Sequence, residues 1–100
     1  MERDEFKIKT IYINGRSINK VIVDSHVKKH ADISDDLILK LVNELDGVEQ
    51  PPDDRKGTFE YFATFVKLNK KQYRVVWLLE DHKLYIGIIT VFRDKKGSKK

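Results

Sequence analysis

An α+β fold of order β-β-α-α-β-β-β is predicted by three observations. The hydrophobic period changes from two to 3.6 after residue 24, it returns to two at Thr58, and turn-forming residues stand at the joints between strands. The expected arrangement is an N-terminal β-hairpin, then a short helix and one longer helix packed on a three-stranded antiparallel meander. Residues 1–93 are expected to form this single domain, and residues 94–100 a disordered basic tail.

Each element has a local cause. Residues 6–13 (FKIKTIYI) alternate imperfectly and meet Asn14-Gly15, a pair suited to the two positive φ angles of a type I′ turn; residues 18–23 (INKVIV) return. Asp24 or Ser25 can cap a short helical turn, SHVKKH. Ser34 is a better cap, because Asp35 and Asp36 follow it where a helix N-terminus favours acids. From there Leu37, Ile38, Leu41, Val42 and Leu45 make one apolar stripe over a helix running to about Asp46, with Gly47 as a left-handed stop. The segment VEQPPDDRKG is a loop whose prolines and charge cluster forbid a central strand. Beyond Thr58, Phe59, Tyr61, Ala63 and Phe65 point one way and Phe62, Val66 and Leu68 the other. Asn69-Lys70-Lys71 and Asp81-His82-Lys83 turn the chain into YRVVWLLE and LYIGIITVFR, two strands apolar on both faces and hence near the middle of a covered sheet. A single long helix covers one face. The other requires the N-terminal hairpin, a partner chain or a bound ligand.

Composition narrows the function. The net charge is +4, but residues 93–100 hold five Lys/Arg and one Asp, so residues 1–92 are balanced. The chain has no cysteine, which excludes disulfides, thiolate metal sites and thiol nucleophiles and suits a reducing cytoplasm. MERDEFK is acidic and not apolar, unlike a targeting leader, and no apolar run approaches the ~20 residues of a spanning helix, so no membrane association is expected. The five glycines are isolated, so no phosphate-cradling loop or dinucleotide fingerprint exists, and no cofactor is expected.

Two clusters carry chemistry. His26 and His30 stand four residues apart with Lys28 and Lys29 between them. They read as two surface histidines on a polar helix, as a pair of metal ligands lacking the Glu of the metalloprotease pattern, or as acid and base beside two fixed cations. The last suits metal-free RNA cleavage, which needs a base for the 2′-hydroxyl, a cation for the phosphorane and an acid for the 5′-oxygen. Arg74 lies inside an apolar strand, either as an edge or snorkelling arginine paired with Glu60 or Glu80, or as a phosphate contact. The aromatics of these strands, sharing faces with aliphatics, are expected in the core.

The segment KQYRVVWLLEDHKLYIGIITVFRDKK resembles the C-terminal hairpin of the RelE/ParE-like toxin superfamily, and KHADISDDLILKLV looks like the helix start of BrnT-like toxins. The resemblance covers about residues 29–93. It implies a metal-independent ribonuclease toxin of a toxin–antitoxin module, acting on mRNA and blocked by a cognate antitoxin. By position, Arg74 matches the strand arginine that contacts phosphate, Arg93 the basic residue ending the last strand, and Lys29 with His30 the KH pair. Phe92-Arg93 stands where such toxins often carry His-Arg, no aromatic follows, and the N-terminal hairpin is additional. The resulting expectation is an enzyme with His26 or His30 as base or acid, Lys28 or Lys29 and Arg74 stabilising the phosphorane, and Thr90 and Arg93 positioning the phosphate. The alternative is a non-catalytic protein-binding or assembly module.

Overall fold

A computed structural model describes residues 3–24 and 33–93. The described elements are β1 (Arg3–Ile13), β2 (Arg16–Asp24), α1 (Asp35–Asn43), β3 (Asp54–Lys56), β4 (Phe59–Leu68), β5 (Lys71–Glu80) and β6 (Tyr85–Arg93). The strands form one six-stranded sheet of order β1-β2-β6-β5-β4-β3. Strand accounts for 63% and helix for 11% of the described residues.

This corrects the expected α+β arrangement of two helices on a three-stranded meander. The meander β4-β5-β6 is present, but it is half of a larger mixed sheet, because β2 pairs in parallel with β6 over Lys20–Val23 and Tyr85–Ile88. The physical reason lies in β6, whose apolar residues on both faces suit a central position with a strand on each side. The hairpin, one of three covers considered for the second face, joins the sheet edge-on instead. The predicted short helix lies outside the described residues.

β3 is a second correction, a three-residue strand inside the predicted loop, paired with Phe59–Tyr61 after a turn at Gly57 (φ 61). All three of its residues are exposed and it occupies the sheet edge, where a charged strand is tolerated. α1 starts as predicted: the Ser34 hydroxyl accepts the Leu37 N–H, with Asp35 and Asp36 in the first turn. It ends at Asn43, sooner than predicted. Leu45 N–H and Asp46 N–H then donate to Val42 and Asn43 carbonyls in tighter turns, and Gly47 takes φ 87.

Core packing is confined to the α1 side of the sheet. Ile38, Leu41 and Val42 of α1, with Leu45 beyond it, meet the inward rows Val75, Trp77 and Leu79 of β5 and Ile86, Ile88 and Val91 of β6. Phe62 stacks on Trp77 with ring centroids 4.1 Å apart and planes 10° from parallel. The indole N–H donates to Thr64 Oγ1 at 3.0 Å, and Thr64 donates to Gln50 Oε1 at 2.8 Å. Gln50 in turn donates from its side chain to the Ala63 carbonyl and from its backbone to Asn14 Oδ1, tying the loop after α1 to both halves of the sheet.

The hairpin turns follow their residues. Asn14 and Gly15 have φ 52 and 75, and Asn69 and Lys70 have φ 53 and 68. A lysine at the second left-handed position carries a penalty that glycine avoids, partly offset by glycine's greater chain entropy. Lys70→Gly is therefore expected to stabilise the fold by about 0.5–1 kcal/mol, seen as a rise in thermal midpoint of roughly 4 °C. An unchanged or lower midpoint would contradict a strained turn.

Candidate nucleic-acid interface

Residues directly opposite one another on paired strands share a face, so strand register defines the surface opposite α1. One row across it reads Phe65 (β4), Arg74 (β5) and Phe92 (β6), and the next reads Ala63, Val76 and Thr90. A third runs Tyr61, Leu78, Gly87 and then Ile22 of β2. Among the described residues no element covers this face. Phe65 is 58% and Phe92 37% exposed, and the Arg74 guanidinium lies 5.6 Å from the Phe65 ring centroid, within cation–π range.

The predicted site residues divide. Arg74 and Thr90 share the open face. Arg93 pairs with Tyr73, whose side chain is buried on the α1 side, and so belongs to the opposite face. His26, Lys28, Lys29 and His30 lie outside the described residues. The carboxylates considered as partners of Arg74 are engaged elsewhere: Glu60 holds Arg16 and Arg55, and Glu80 accepts the Tyr85 hydroxyl at 2.6 Å. Among the described residues, none of the ion pairs involves Arg74.

The aromatics correct the expectation of a common core. Phe62, Tyr73 and Trp77 are buried, whereas Phe65 and Phe92 are exposed and Phe59, Tyr61 and Tyr85 are half-buried on the open face. The alternation in β4 already separates Phe62 from Phe65; with only one long helix as cover, the Phe65 face is the one left open.

A groove of about 310 Å³ lies on this face toward the β5–β6 turn. Gly87 lines it, its apolar wall includes Ile22, Tyr61, Leu78 and Ile89, and Arg3, Asp24, Glu80 and Tyr85 stand on its polar side. Burial and the Glu80 carboxylate push the Tyr85 phenol up to about 12, so it remains a hydrogen-bond donor at neutral pH. A broader hollow of about 610 Å³ lies by Arg16 and the Asp81–Leu84 turn, but its arginine is committed to carboxylates.

No family model matches this chain, nor does any curated protein or solved structure. Function must be argued from residue chemistry on the open face.

The ion-pair cluster at the sheet's end is structural. Arg55 bridges Glu60 at 2.8 Å and Asp81, and Arg16 bridges Glu60 at 3.0 Å and Asp81 at 3.4 Å, joining the β1–β2, β3–β4 and β5–β6 corners. The hydrogen bond from Arg55 holds the Asp81 carboxyl below its usual range against the opposing effect of burial, with the charges of Arg55, Arg16 and His82 adding to it. A depressed folded-state pKa gives stability that is complete above the ordinary aspartate range and lost as pH falls through the depressed value. Asp81→Asn should therefore lower the thermal midpoint at neutral pH, and the difference from the parent should close in strongly acidic buffer. A gap constant across pH would assign the loss to something other than this charge.

Proposed function

We propose that this chain is a cytoplasmic, metal-independent ribonuclease that cleaves mRNA, the toxin of a toxin–antitoxin module, with single-stranded RNA laid across the open sheet face. The observation that carries the proposal is the exposed row Phe65–Arg74–Phe92. It places a guanidinium without an ion-pair partner among the described residues between two aromatic surfaces, the combination that binds phosphate and stacks unpaired bases. Thr90, one row away, adds a hydroxyl for a phosphate oxygen. Among the described residues no helix is long and apolar enough to cross a membrane.

In this mechanism a histidine, His26 or His30, removes the 2′-hydroxyl proton, the 2′-oxygen attacks phosphorus, and the bond to the 5′-oxygen breaks as the other histidine protonates it. Arg74 with Lys28 or Lys29 offsets the charge gathering on the equatorial oxygens. The products are a 2′,3′-cyclic phosphate and a 5′-hydroxyl. Arg74→Ala is expected to slow cleavage of an mRNA fragment about 10–100-fold, since a charge-assisted contact is worth roughly 1.5–3 kcal/mol. His26→Ala/His30→Ala should abolish it. Full activity in both variants, or no cleavage and no growth arrest by the parent, would overturn the assignment.

Self-association is the second possibility, favoured by Ile89, Phe65 and Phe92 at one surface. Light scattering decides it: a monomer at high concentration excludes a homo-oligomeric assembly module.

A further inference from the structure

The open face holds two separate features, the Phe65–Arg74–Phe92 row and the Gly87 groove. Leu78 and Arg74 are four residues apart on β5, so the groove lies about 13 Å from the arginine row. A strand of RNA bound at Arg74 can reach it a few nucleotides away. The groove's volume, about 310 Å³, is at the small end of ligand pockets, and its lining is mainly apolar with a few polar groups.

We infer that this groove is a guanine-recognition subsite, in which the base lies against the Tyr61, Leu78 and Ile89 side chains and its Watson–Crick edge meets the Glu80 carboxylate. The inference rests on the RNA-binding role proposed above. An ionised carboxylate only accepts hydrogen bonds. Guanine alone presents two adjacent donors on that edge, N1–H and the N2 amino group, and matches both carboxylate oxygens. Adenine places the N1 acceptor, and uracil a carbonyl on each side of its one donor, against the same oxygens; both are repelled. Glu80 is held in place from the side, because Tyr85 Oη donates to Oε1 at 2.6 Å, and that oxygen keeps a second lone pair for a ligand. The base plane finds apolar contact in Tyr61, Leu78 and Ile89. Residue 87 carries no side chain because Leu78 packs over it: a Cβ there would lie 2.9 Å from Leu78 Cδ1, so the Leu78 side chain forms the groove wall above Gly87.

The test is amide NMR of the full chain titrated with 5′-GMP and, separately, 5′-AMP, 5′-UMP and 5′-CMP, followed by binding of an oligouridylate and of the same oligomer carrying one guanine. The expected result is a GMP shift at the Gly87 and Ile89 amides, with affinity at least about tenfold above AMP. Glu80→Gln should remove that preference by weakening GMP binding and relieving the repulsion of AMP, and Gly87→Ala should weaken GMP binding by pushing Leu78 into the groove; retained amide dispersion in each variant shows that it is folded. Equal affinity for AMP, or GMP binding unaffected by Glu80→Gln, overturns the inference. If oligouridylate binds and the added guanine brings no gain, the subsite is refuted and the RNA-binding role stands. If GMP shifts Gly87 but neither oligomer binds or is cleaved, the subsite stands and the ribonuclease assignment falls.

Discussion

Replacing Trp77 with alanine is expected to cost about 3–5 kcal/mol, the range for deleting a large aromatic from a packed core. That is a large part of the roughly 5–15 kcal/mol that holds a domain of this size together. Two losses combine. The indole is wholly buried and stacked on Phe62, and its N–H supports the Thr64–Gln50 chain that reaches Asn14 near the far edge of the sheet. Trp77→Phe keeps most of the stack and loses the hydrogen bond, so its cost should be nearer 1–2 kcal/mol. Denaturant unfolding of the two variants separates packing from polar support. A Trp77→Ala loss below about 1 kcal/mol would mean that the stack is not the centre of the core.

Gly87→Val should have the next largest effect, about 1–3 kcal/mol of destabilisation from overpacking. The added carbons meet Leu78, whose Cγ lies 3.0 Å from an ideal Cβ position, on the two central strands of the sheet. Gly87→Ala adds only the Cβ; Leu78 is half-exposed and can rotate toward solvent, and alanine restricts the unfolded chain, so stability should stay within about 1 kcal/mol of the parent. Stability equal to the parent in Gly87→Val would show that Leu78 yields without strain.

Local features of the fold were legible because they depend on neighbours in the chain. Asn14-Gly15 names its turn, Ser34 names its cap, and the alternation from Phe59 to Val66 separates inward from outward residues. The parallel pairing of β2 with β6 was not legible, because a period-two pattern tells which side of a strand is apolar and not which strand lies beside it. That is why the hairpin stood among the candidate covers when it belongs in the sheet. At the site, Arg74 and Thr90 could be picked out as polar residues in apolar strands, and register brings them to one face. Arg93 followed the family pattern instead, and its pairing with Tyr73 puts it on the other face. Phe65 and Phe92 were expected in the core because aromatics usually are. The groove was missed; the glycine within LYIGIITVFR signals only the close approach of Leu78 to the backbone, since a central strand rarely gives up a side chain without something approaching it.

The parallel seam between β2 and β6 also sets an order of assembly. β1–β2 and β4–β5 close through short turns at residues 14–15 and 69–70, so each can zip locally. Pairing Lys20 with Tyr85 must instead close most of the chain into one loop and bears the largest entropy cost in the topology. The β2–β6 seam is therefore the costliest pairing in this topology, and the six-stranded sheet cannot close until β6 has been synthesised.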